Sequence, residues 1–180
     1  MTKVEIPLSK TKICLLLIGS IAFVISGILF IITPDTFISF IHPNPNTIRI
    51  VGIASLLFFG ATSIYGARKL FDKSVGLTID DNGINDNTNA SSAGLINWSD
   101  ITKIKTKQVM ATRFLLIFIS NPNKYLDRVS GFRRKLMKGN MKMYGTPLSI
   151  TSNTLKYNFK DLEKLILGKL KEQHERMPNR

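Results

Sequence analysis

Few side chains in this chain of 180 residues are equipped for covalent or acid–base chemistry. Its single cysteine, Cys14, stands in an apolar run, where a thiol stays protonated and inert. The two histidines, His42 and His174, are far apart, and one Cys with two His does not make up a zinc ligand set. His42 sits beside Pro43 and reads as an interfacial side chain. Asp80-Asp81 has the composition of a metal pair, but Asp80-Asp81-Asn82-Gly83 spells a hairpin turn first. Neither phosphate-cradling glycine motif, G-x-x-x-x-G-K-[ST] or G-x-G-x-x-G, occurs. The expectation is therefore no catalytic residue, no metal and no cofactor.

The chemistry that the residue types do support is charge. Lys103, Lys105 and Lys107 are two apart, so on a strand they share one face. Arg133, Arg134, Lys135, Lys138 and Lys142 form a second cluster, interleaved with Leu136, Met137 and Met141. These eight residues are the candidate lipid- or partner-binding set. Anionic lipid is the expected ligand, together with an unidentified protein partner. Nucleic acid is set aside, because no aromatic side chains alternate with the lysines to stack bases.

What must position these residues follows from how charge and apolarity divide the chain. The formal net charge is +13, of which residues 68–180 carry +11, while 44% of all residues are hydrophobic. That apolar fraction, with 11 Phe, excludes a disordered chain, and a lone Cys excludes a disulfide scaffold. The apolar excess lies early. Residues 13–32 and 50–67 are two uncharged runs of bilayer-spanning length. A cleaved signal peptide fits poorly, since Thr33-Pro34-Asp35 stands where a small-residue cleavage site belongs. Lys3, Lys10 and Lys12 precede the first run, Arg68, Lys69 and Lys73 follow the second, and only Arg49 lies between. This bias predicts a multi-pass protein of the bacterial plasma membrane with both termini cytoplasmic. A short interfacial helix is expected within Asp35 to His42. Small residues within the runs (Gly19, Gly27, Gly52, Gly60) suit close helix packing, within the hairpin or between copies of the chain.

Residues 1–73 thus read as a membrane hairpin and 74–180 as a cytoplasmic domain. In the latter, Val75 to Asp80, Gly94 to Trp98, Ile101 to Val109, Arg113 to Ile119 and Leu148 to Thr151 have strand patterning. Helical spacing runs from Tyr125 to about Lys138, with Gly139-Asn140 as its expected end. A final helix follows Asn158, with Leu162, Leu165, Ile166 and Leu170 as its apolar stripe. The fold class expected is α+β, a small β-barrel or sandwich capped by a C-terminal helix.

The series Gly76-Leu77-Thr78-Ile79-Asp80-Asp81-Asn82-Gly83-Ile84, then Gly94-Leu95-Ile96-Asn97-Trp98-Ser99-Asp100-Ile101, resembles bacterial pleckstrin-homology-like domains. Joined to a two-helix transmembrane hairpin, it is similar to a group of small uncharacterised bacterial membrane proteins. The resemblance implies a packed Trp, a turn Asp and a turn Gly; it implies no chemistry. The function expected is a non-enzymatic, membrane-anchored binding or scaffold module. The alternative is a membrane immunity or antitoxin-like protein, and a third reading is a membrane-bound enzyme dependent on Asp100 or Asp127.

Overall fold

The computed structural model describes residues 3–38 and 44–176, without the side chains of residues 174 and 176. The expected interfacial residue His42 lies outside the described residues, as does the side chain of His174. The chain is α+β and divides into two compact units, residues 10–73 and residues 1–9 with 74–180.

The first of these units is a helix pair. Helix α1 spans Lys10–Ile32 and α2 spans Pro45–Phe71, 23 and 27 residues, so each is about 35–40 Å long. Both are long and apolar enough to cross a membrane. Their outward side chains, among them Leu15, Ile18, Phe23, Ile50, Leu57 and Phe58, are exposed. Asn44 caps α2 by accepting from the Asn46 N–H, and Pro45 occupies the first turn, where its missing donor costs nothing. Of the stretch expected to hold an interfacial helix, Pro34–Phe37 forms a 3-10 turn, and residues 39–43 lie outside the described residues.

The two helices run antiparallel and touch closely at small residues. A Cβ on Gly52 would lie 2.7 Å from the Gly27 carbonyl oxygen. Phe23 stacks on Phe59 with ring centroids 4.4 Å apart, and the Ser20 and Ser63 hydroxyls are 2.8 Å apart. At the open end, Lys10 Nζ donates to the carbonyls of Lys69 and Asp72, and buried Lys69 pairs with the Asp72 carboxylate at 2.8 Å.

The second unit holds two antiparallel sheets. Strands β1 (Val4–Pro7), β2 (Val75–Ile79), β3 (Gly83–Asp86) and β4 (Gly94–Asn97) form one, in that order. Strands β5 (Ile101–Val109), β6 (Thr112–Ile119) and β7 (Leu148–Ile150) form the other. Residues before Lys10 therefore belong with the later unit, not with the hairpin: Val4 pairs with Ile79 and Ile6 with Leu77. The physical reason is alternation. Ile6 and Leu8 are buried while Glu5 and Pro7 face outward, a strand pattern too short to stand out beside the apolar run that follows.

The sheets do not close into the expected barrel. Between β4 and β5 the chain makes a 3-10 turn at Trp98–Asp100, and the β5–β6 register shifts between Ile101 and Lys103. Helix α5 (Phe159–Arg176) lies over the second sheet, with Leu162 and Ile166 fully buried and Glu163 accepting from the Thr106 hydroxyl. Asn158 caps it, accepting from Asp161 N–H at 2.9 Å.

The expected helix from Tyr125 is two helices instead, α3 (Pro122–Leu126) and α4 (Gly131–Tyr144). Asn121 caps the first and Ser130 stands at the start of the second. Gly139 does not end α4, because it does not adopt the left-handed conformation of a helix stop and the helix runs on to Tyr144. The stop is Gly145, whose left-handed φ of 76° closes the helix on the Met141 carbonyl.

Candidate functional site

The turn that joins the two sheets carries a charged and polar cluster. Asp100 Oδ2 accepts from Lys124 Nζ and from the Tyr125 hydroxyl, each at 2.6 Å, and from Asn97 Nδ2 at 3.4 Å. The Tyr125 oxygen in turn accepts from Asn97 N–H at 3.2 Å, and Trp98 Nε1 donates to the Asp80 carbonyl at 2.8 Å. Burial pushes the Asp100 carboxyl up, but the Lys124 and Tyr125 hydrogen bonds and the lysine's charge outweigh it and hold the group below its ordinary range. Burial first, then the bond to Asp100, raises the Tyr125 phenol to about 12. Neither group is poised near neutral pH, and both Asp100 Oδ2 and the Tyr125 hydroxyl already have partners. The cluster is a latch that holds helix α3 against the turn.

The other carboxylates single out turns and pairs. Asp80 Oδ1 accepts from Asn82 N–H at 2.8 Å and Gly83 N–H at 3.2 Å, the hairpin turn expected of Asp80-Asp81-Asn82-Gly83. Gly83 is required there, because a Cβ would fall 2.0 Å from the Ile96 carbonyl oxygen. Asp127 pairs with Arg134 at 2.8 Å.

The basic residues are placed by register. Lys103 pairs with Phe118, Lys105 with Leu116 and Lys107 with Phe114, so these six side chains share one face of the second sheet. The opposite face, with Leu115 and Ile117, takes α5. All three lysines are exposed. The Lys105 ammonium lies 5.7 Å from the Phe118 ring centroid, while Lys103 and Lys107 have no hydrogen bond or ion pair among the described residues. Aromatic neighbours therefore do flank the lysines, from β6 rather than from their own strand.

Helix α4 packs on β7 and covers the same face. Asn140 Nδ2 reaches the Ser149 hydroxyl at 3.4 Å, and Ser149 pairs with Leu116. Gly145, the cap of α4, lies against Phe118. The structure thus brings the two basic clusters to one side of one sheet. Buried Met137 points inward, and Lys135, Lys138 and Lys142 are exposed without ion pairs among the described residues. The cluster is not uniform, however. Arg134 is taken by Asp127, and Arg133 reaches a polar groove of about 490 Å³ on the first sheet, lined also by Ser74, Thr78, Asn85, Asn87 and Ser92.

Arg128 was not among the residues singled out by sequence. It stacks on the Tyr125 ring at 4.7 Å and donates to the Leu95 carbonyl at 3.0 Å. It lies in the turn after α3, three residues from Tyr125, and that i, i+3 spacing is the signal in the sequence. In comparisons with known proteins, no family model, no curated protein and no solved structure matches the chain.

Proposed function

We propose that the chain is a non-enzymatic, membrane-anchored binding module at the cytoplasmic face of a bacterial plasma membrane, contacting anionic lipid and a protein partner. The observation that carries it is the pairing of β1 with β2. One sheet holds the chain just before the first apolar helix and just after the second, so a hairpin that crosses a bilayer twice has both its ends at one unit. Lys10, Lys12, Arg68, Lys69 and Lys73 at those ends favour the cytoplasmic side. Seven short antiparallel strands followed by a C-terminal helix support a pleckstrin-homology-like reading of that unit, with its barrel left open.

Exposed Lys135, Lys138 and Lys142 on α4 supply the lipid contact. Each basic residue near an anionic leaflet contributes about 1 kcal/mol, too little alone but effective once the tether has made the encounter intramolecular. The test uses the full chain, since residues 74–180 alone would lack β1. In nanodiscs containing anionic lipid, these three lysines should react more slowly with a water-soluble acylating reagent than in zwitterionic nanodiscs, and salt should erase the difference. Equal rates in both would overturn the lipid contact.

A further inference from the structure

Among the described residues the sheets of this unit have four edges, and three of them are engaged by hydrogen bonds from outside the ladder. On β4, the Leu95 carbonyl accepts from Arg128 and the Asn97 N–H donates to Tyr125. At the end of β1, the Pro7 carbonyl accepts from Lys156 N–H at 3.0 Å, and two residues beyond the strand Ser9 N–H donates to the Thr154 carbonyl at 2.8 Å. On β7, the Ser149 carbonyl accepts from Asn89 Nδ2 at 2.9 Å. The fourth edge is β5, 9 residues long and paired only with β6. Among the described residues, no hydrogen bond beyond that ladder reaches its backbone.

We infer that β5 is a docking edge for an extended acidic segment of a partner protein, which adds to the sheet as a fourth strand. This inference rests on the binding-module reading and names its protein partner. An added strand satisfies the open row of N–H and C=O groups and sets its alternate side chains directly beside Lys103, Lys105 and Lys107. Glutamates or aspartates at every second position match three exposed ammonium groups whose neighbours on this face are apolar: Phe114, Leu116 and Phe118. A second copy of this chain fits badly, because antiparallel pairing of two β5 edges about Lys105 sets lysine against lysine. Edge lysines also guard sheets against unwanted pairing, and that role is the rival that the experiment must separate.

The full chain in neutral detergent is titrated with a synthetic peptide as long as β5, alternating glutamate with threonine. Binding is followed by anisotropy and by hydrogen exchange of the β5 amides. Two control peptides carry the same charge: one with its glutamates in a block, one with every second backbone nitrogen methylated. The alternating peptide should bind at least about tenfold more tightly than either control and should protect β5 amides. Replacing Lys103, Lys105 and Lys107 with Gln, with Trp98 fluorescence unchanged, should weaken it by about tenfold or more. Equal binding of the methylated peptide would reduce the edge to a charged surface and overturn the proposal. So would lysine variants that self-associate yet bind the peptide as before, since the lysines would then be guards only. Failure of the peptide while the α4 lysines stay protected on anionic nanodiscs overturns strand addition and leaves the lipid-binding module intact; failure of both overturns both.

Discussion

Replacing Tyr125 with Phe removes one oxygen and two hydrogen bonds while leaving a fully buried ring in place. The first bond, at 2.6 Å to Asp100, is charge-assisted and is worth about 1.5–3 kcal/mol. The second satisfies the Asn97 N–H on the β4 edge, and leaving that donor unpaired costs about 1 kcal/mol more. The expected loss is about 2.5–4 kcal/mol, a large share of the ~5–15 kcal/mol that holds a domain folded. The assay is built in, because Trp98 is the chain's single tryptophan, is buried, and lies two residues from Asp100. In a urea titration of the full chain in micelles, Trp98 emission should report a midpoint lowered by about 1–2 M, taking a slope of ~2 kcal/mol per M. Tyr144→Phe serves as the control, since Tyr144 is half-buried and makes no hydrogen bond through its side chain among the described residues. A Tyr125→Phe shift no larger than the control's would refute the latch.

The same cluster predicts a pH window. Asp100 is held below its ordinary range, so its contribution is complete above the unfolded value of about 3.9 and is lost as the pH falls through its lower folded value. Asp100→Asn should flatten that acid step in the Trp98 midpoint. Tyr125 titrates near 12, so its contribution is complete below about 10 and disappears between there and 12; one tyrosine should ionise correspondingly late in absorbance at alkaline pH. Gly52→Ala should destabilise the helix pair by about 1–3 kcal/mol in dodecyl sulfate titrations followed by circular dichroism, because its Cβ meets backbone at 2.7 Å. Gly60→Ala, with nothing within 4 Å, should not. Ile6→Glu should cost at least about 2 kcal/mol and so lower the Trp98 midpoint by about 1 M or more, although Ile6 precedes both apolar helices, since it is buried on β1 beside Leu77.

Much of this architecture was legible where local chemistry and packing agree. The two apolar runs lie inside α1 and α2, Asp81-Asn82-Gly83 makes the β2–β3 turn, and Asn158 caps α5. Strand β5 begins at Ile101 and ends at Val109, as its alternation requires. What stayed hidden depends on partners distant in sequence. Strand β1 has a readable alternation of four residues, but only Leu77 and Ile79, some 70 residues later, decide that it is a strand. The division of α3 from α4 falls at residues 127–130, just before Gly131 with its left-handed φ of 58°, inside a stretch whose apolar spacing reads as one helix. The basic set was legible as residue types, but its convergence was not. That α4 and the lysine strand share a face follows from the β6–β7 register and the Asn140–Ser149 contact. That Arg134 is already paired follows from Asp127, whose proximity depends on the turn between the two helices.

In the proposed topology the helix pair crosses a membrane twice and the sheet-bearing unit stays in the cytoplasm. Cysteine labelling tests it most directly, since replacing Cys14 with serine removes the only native thiol. A cysteine at Thr36, between the helices, and one at Lys138, on α4, are then probed separately in intact bacteria with a membrane-impermeant maleimide. Position 36 should label in intact cells and position 138 only after permeabilisation. Labelling of both positions from outside, or of position 138 alone, would contradict that topology.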